Sequence, residues 1–153
     1  MSYLNNLSVS RGIRNHNPGN LVYTPNNAWL GKIPYAQNKD ANKHFEQFTE
    51  MKFGVRAMMR DIISDIKKGK NTIATFIHEY APKFENNTSN YITVVSKLSG
   101  IAPNAVIDLT EKNIIGLCKA MVIMENGTTA AKYVTDADYS AAVAILGIEL
   151  KKK

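Results

Sequence analysis

The sequence holds one cysteine, Cys118, one tryptophan, Trp29, and three histidines in 153 residues. A lone cysteine excludes an intramolecular disulfide, and in an apolar stretch it reads as small buried filler rather than as a nucleophile. No group of His, Cys, Asp and Glu has metal-ligand spacing, so neither a metal nor any other cofactor is expected. No apolar run approaches the roughly 18–20 residues that cross a bilayer, so no membrane span is expected. Met1-Ser2-Tyr3-Leu4-Asn5-Asn6 has neither the charged nor the apolar part of a secretory signal. Zinc-finger spacing, an RNP-like aromatic motif and a helix-turn-helix pattern are missing, which leaves nucleic acid a weak candidate partner.

What is present fits a folded domain. Hydrophobic residues make up 44% of the chain, too many for a disordered one. The length suits one domain with a real core. The net charge of +6 favours polyanions, among them wall or lipopolysaccharide phosphates and an acidic cell wall. Residues 1–10 read as a flexible leader, residues 11–150 as the domain, and the lysines at 151–153 as a solvated basic tail.

Residues 11–44 are dense in Asn, Gly and Pro and read as loop, with short extended pieces at 21–23 and 43–48 that form a small hairpin. Helical spacing begins near Thr49, an expected N-cap. Val55, Met58, Met59, Ile62, Ile63 and Ile66 mark one face, with Gly69 just past the end. Thr72 caps a short helix carrying Ile73, Phe76, Ile77 and Tyr80, with Pro82 beyond it. Thr88 or Asn87 opens a third, closed by Gly100; Thr110 opens a fourth; Thr135 or Asp136 opens a last one, closed by Gly147. Five helical patterns with short connections predict a mainly α domain with a small β-hairpin.

The fourth helix carries the most chemistry. Ile114, Cys118, Met121 and Glu125 recur at helical spacing, so Glu125 ends a stripe that faces the core. A carboxylate drawn toward a dry face is a candidate general acid; a carboxylate that merely meets solvent at the helix end is the plainer alternative. Glu85, before a helix start, is either a second acid or a favourable charge at the helix N-terminus. Tyr91, one turn into that helix, reaches the same cleft or packs in the core. The loop residues Arg14, Asn17 and Asn20, with Asn126 after Glu125, are candidate contacts to a polar substrate. Trp29 either stacks on a sugar face or pins the loop. Glu46, alternating with Phe45 and Gln47 on an extended piece, is expected to face solvent.

These residues also carry a resemblance. Arg11-Gly12-Ile13-Arg14-Asn15-x-Asn17-Pro18-Gly19-Asn20, Trp29-x-Gly31, Phe45-x-x-Phe48, Ala81-Pro82-x-x-Glu85-Asn86-x-Thr88-x-x-Tyr91 and Glu125-Asn126-Gly127 resemble a family of small phage and prophage virion-associated proteins, over about residues 11–147. Met124 departs from the family, which often has a histidine before Glu-Asn-Gly. The same pieces are similar, in rotated order, to lysozyme-like glucosaminidases and lytic transglycosylases, where a Glu at the end of a helix is the catalytic acid. Rotation is tolerated where the termini lie close together on the surface.

The resemblance implies a lysozyme-like single domain, possible as a circular permutation, that cleaves the glycan backbone of peptidoglycan with one Glu as general acid. The alternative is a virion structural or wall-glycan-binding module that cuts nothing. The implied partners are bacterial cell-wall glycan and other virion proteins. The implied place is the virion or the host cytoplasm, with action at the wall.

Overall fold

The computed structural model describes residues 2–80 and 87–152. Glu85, the second candidate acid, lies outside the described residues. The described chain is mainly helical: α1 Arg11–Arg14, α2 Met51–Lys67, α3 Ile73–Tyr80, α4 Thr88–Ser99, α5 Glu111–Asn126, α6 Thr128–Ala131 and α7 Asp136–Ala144.

The five long helices are those the apolar spacing predicts. On α2 the residues Val55, Met58, Met59, Ile62, Ile63 and Ile66 are all buried. The helix begins at Met51 rather than at Thr49, because the Thr49 N–H still donates to the Gly31 carbonyl within the extended segment. Thr110 caps α5, its side chain accepting from the Asn113 N–H. Thr135 caps α7 in a capping box with Asp138. Gly100 ends α4 in the left-handed conformation, φ 77°, which a side chain would disfavour.

The helices α4 and α5 pack together, and α2 packs on α3, α5 and α7. Tyr91 and Val95 of α4 and Ile114, Leu117, Cys118 and Met121 of α5 are fully enclosed. A large apolar side chain contributes about 1.5–3 kcal/mol when buried, against about 1 kcal/mol net for a hydrogen bond. Packing along this seam, rather than polar contact, therefore sets the end of α5 against the start of α4.

The hairpin expected at 21–23 and 43–48 does not form. Val22 pairs with Phe45, and Lys32 with Phe48, as isolated antiparallel bridges. The pairing partners are right, but side chains take the donors that a ladder would use. The Leu21 N–H goes to Asn17, the Thr24 N–H to Glu46 and the Phe45 N–H to Asp40. A bridge flanked by such contacts cannot extend.

The residues read as a leader make contacts with the domain. The Tyr3 N–H donates to His16 Nε2 at 3.0 Å, and the Tyr3 ring packs edge-on against Tyr133. Ser10 donates to Asn126 at 2.9 Å. At the other end Lys151 pairs with Thr110 in a parallel bridge.

Candidate functional site

The loop 15–20 follows α1 and is buried from Asn15 to Gly19. Its fold follows from its polar side chains. His16 and Asn20 take left-handed backbone, φ 53° and 51°, a region Asn and His visit more readily than most residues. Asn17 is wholly buried; its amide donates to the carbonyls of Leu21 and Glu46 and accepts the Leu21 N–H. Asn15 donates to Asp40 and accepts from Gln47. His16 Nε2 accepts from Tyr3, which leaves Nδ1–H to donate to the Phe48 carbonyl at 3.0 Å. Burial lowers the His16 pKa against the pull of those carbonyls, so the ring is neutral at physiological pH.

Asp40 ties this loop to the chain at 38–45. Burial alone would raise its pKa, but Arg11, Asn15 and the Phe45 N–H outweigh it and hold the carboxyl at about 2. The Arg11–Asp40 distance is 2.9 Å and the Asp40 side chain is 1% exposed. A pKa depressed in the folded state contributes stability above the unfolded value, lost as pH falls through the folded one. The pair and its hydrogen bonds are therefore expected to contribute about 2 kcal/mol at neutral pH, lost between about pH 4 and pH 2. Urea melts across that range measure it. Arg11→Met should flatten the slope, and an unchanged slope would remove the ion pair from the account.

The loop delivers Asn20 to the end of α5. Asn20 Nδ2 donates to Glu125 Oε1 at 2.9 Å, and the Tyr91 hydroxyl donates to Glu125 Oε2 at 3.0 Å. Asn126 locks the arrangement: Nδ2 donates to the Pro18 carbonyl at 2.8 Å, and Oδ1 accepts from Ser10. A Cβ on Gly12 would collide with that Asn126 oxygen, so the contact requires glycine there. The Tyr80 hydroxyl donates to the Gly19 carbonyl at 2.8 Å. Burial pushes both Tyr80 and Tyr91 well above the usual phenol range, so both remain proton donors.

The structure thus gathers Glu125, Tyr91 and Asn20 in direct contact, with Asn126 tying the end of α5 to Pro18 and Ser10 and Asn17 as the staple of the loop. Glu125 is half-buried. Arg14 donates to the Val9 carbonyl. Trp29, also half-buried, lines a cavity of about 540 Å³ with Asn27, Arg60, Asp61 and Ser64. It also faces a concavity with Tyr23, Lys32 and Tyr35. Cys118 is buried and its thiol is raised far above the thiolate range, as filler requires.

Glu46 corrects the expectation of a solvent-facing acid: it is fully buried. The extended piece folds under the 22–33 loop, where the Thr24 N–H and Lys32 Nζ, each 3.1 Å away, both meet Oε2. Burial raises its pKa more than those two partners lower it. Ser10 and Tyr80 are site neighbours to which the sequence assigns no role there. Only Tyr80 left a trace, as an aromatic residue on the apolar face of its helix.

No family model matches the chain. It is 32% identical over 128 residues to Protein P5 of Pseudoalteromonas phage PM2, covering 82% of this chain and 76% of that protein.

Proposed function

The chain belongs to the family of that phage protein, and we propose that it cleaves the glycan strand of bacterial peptidoglycan, on a lysozyme-like, circularly permuted frame, with Glu125 as general acid. The observation that carries the reading is the convergence on one half-buried carboxylate of Asn20, 105 residues away in sequence, and Tyr91, 34 away. A carboxylate needed only at a helix end has no use for two such donors.

In this reading Glu125 gives its proton to the glycosidic oxygen as the bond to the anomeric carbon breaks. Asn20 and Tyr91 then stabilise the carboxylate that is left, and they hold it in one orientation beforehand. Trp29 offers a flat apolar face for a sugar ring beyond the reacting bond. The charge of +6 draws the protein to an anionic wall.

The second reading is a wall-binding or virion structural module. It is favoured by the two hydrogen bonds that already occupy both Glu125 oxygens. One experiment separates the two. Purified protein and its Glu125→Gln variant are incubated with peptidoglycan sacculi, and soluble fragments are identified by mass spectrometry. Fragments from the unaltered chain alone support cleavage, and their reducing or anhydro ends name the reaction. Sacculi that bind the protein and release nothing would establish the module instead.

A further inference from the structure

Trp29 is the one tryptophan of the chain, and it stands half-buried on a loop. Two hollows meet at it. On one side Trp29 and Asn27 line the cavity of about 540 Å³ with Asp61, Lys67 and Lys68 of α2. On the other the same two residues line a hollow of about 380 Å³ with Tyr23, Lys32 and Tyr35. Each volume falls within the range of about 300–1,000 Å³ usual for sites that hold small organic ligands. Among the described residues, Glu125, Tyr91 and Asn20 line neither hollow, so nothing about this pair of hollows rests on the cleavage reading.

The surrounding contacts hold the aromatic residues still. Lys32 Nζ donates to the carbonyls of Thr24 and Asn27 at 2.8 and 2.9 Å and meets the buried Glu46 at 3.1 Å. It also lies 4.2 Å from the centre of the Tyr23 ring. Taking such an ion pair out of water is costly, and what it secures here is a surface loop, not the helical core. On the next loop Lys43 Nζ donates to the Tyr35 carbonyl at 2.7 Å and lies 4.9 Å from the centre of the Tyr35 ring. The Tyr23 and Tyr35 rings sit 5.1 Å apart, tilted by 56°, and Tyr35 is 53% exposed. At Gly31 the Phe53 ring of α2 occupies the place a side chain would take, which fixes the far end of the Trp29 loop. Rings held rigid beforehand lose little freedom when a ligand settles on them.

The polar lining selects the ligand class. An aromatic face suits a sugar ring or a nucleic-acid base, and Asp61 separates the two. It is half-buried, and among the described residues no hydrogen bond or ion pair engages it. Burial, with a smaller push from Asp65, moves its carboxyl up to about 6, which leaves it mostly ionised at neutral pH. Such a group accepts strongly from hydroxyls and repels phosphate. Sugar hydroxyls suit it, and a nucleic-acid backbone does not. Arg60 is spent on the Leu146 carbonyl at 2.6 Å, whereas Lys67 and Lys68 are exposed at the rim. The lining cations outnumber the acid, so carboxylates on the ligand gain at that rim.

We propose that the two hollows form one groove for an acidic saccharide chain lying across Trp29, with a ring on the Tyr23–Tyr35 side, the next against Trp29 and Asp61, and its carboxylates at Lys67 and Lys68. The groove holds the chain and cuts nothing.

Because Trp29 is the sole tryptophan, its fluorescence reads this groove directly. The test titrates the Glu125→Gln chain, in which the cleavage reading leaves every ligand intact, with muropeptides, oligogalacturonate, neutral chitotetraose and oligothymidylate. Muropeptides or oligogalacturonate should shift the Trp29 emission saturably, and the tighter of the two names the source of the carboxylates. Added salt should weaken that binding. Tyr35→Ala should weaken it about 5-fold and Asp61→Asn about 10-fold or more, while Lys67→Gln with Lys68→Gln should remove most of the salt dependence. Tyr35, Lys67 and Lys68 are exposed, so those variants keep the fold, which thermal melts check. Emission unmoved by every saccharide at millimolar concentration would overturn the groove, and fragment release from sacculi by the unaltered chain would then leave the Glu125 reading standing. Chitotetraose bound as tightly as the acidic ligands would overturn the role of the lysines. Tighter binding of oligothymidylate would overturn the saccharide assignment. Acidic saccharide bound by a chain that releases no fragments would support the groove and remove the cleavage reading alone.

Discussion

Glu125→Gln is expected to lower fragment release from sacculi by about 1,000-fold or more, the range for removing a general acid, while moving the melting temperature by no more than a few degrees. The separation follows from the surroundings of the side chain. The amide keeps the shape of the carboxyl and one of its acceptors. Its new NH₂ faces either the Tyr91 hydroxyl or Asn20. The Tyr91 oxygen can accept, and Asn20 Oδ1 is buried without a hydrogen-bond partner among the described residues. Rotating the Asn20 amide would therefore satisfy the new donor without breaking another bond. A fall of 1,000-fold is about 4 kcal/mol at the transition state, and no comparable loss is expected in the ground-state fold. Rates from released reducing ends, with thermal melts of the same samples, check both halves. Undiminished release by a folded variant would remove Glu125 from the mechanism.

Gly54→Ala is expected to be the most damaging single-methyl change in the chain, at about 3 kcal/mol or more of unfolding free energy. Gly54 lies in the first turn of α2, pressed against the loop that carries Asn17 and Asn20. A Cβ there would overlap the His16 carbonyl oxygen and crowd the Asn17 Cα. Ordinary overpacking costs about 1–3 kcal/mol because side chains can yield. Here the obstacle is backbone, and that backbone is held by the His16 and Asn17 hydrogen bonds. Relief requires moving α2 away from the loop and opening the core behind Met58 and Ile62. Urea denaturation measures the cost, and it predicts a second effect: surviving folded molecules should bind or cleave wall glycan poorly, because Asn20 travels with the loop. A variant with unchanged stability would mean that the helix and loop sit farther apart than described.

Much of the helical scaffold was legible in the residues. Val55 to Ile66, Ile73 to Ile77, and Ile114 to Met121 declare their faces by spacing, and Thr110, Thr135 and Gly100 mark boundaries, because apolar period and capping act over a few residues. Glu125 was visible for the same reason, as the one carboxylate continuing a buried stripe. The fate of the loop residues was not. Asn17, Asn20, Asn15 and Arg14 look alike in the sequence, yet Asn17 is a sealed staple, Asn20 grips Glu125, Asn15 serves Asp40 and Arg14 holds the Val9 carbonyl.

Sequence alone thus determined the helices, the core and the place of Glu125 at the end of α5, all set by short-range pattern. Tertiary structure alone decided which polar side chains meet that acid. It brought Asn20 and Tyr91 to Glu125, buried Glu46 where alternation placed it outside, and left Asp61 facing the Trp29 cavity. The reason is physical: a hydrogen bond across 105 residues depends on how helices and loops pack, and side chains with the same donors and acceptors carry no local mark of the partner that packing will give them.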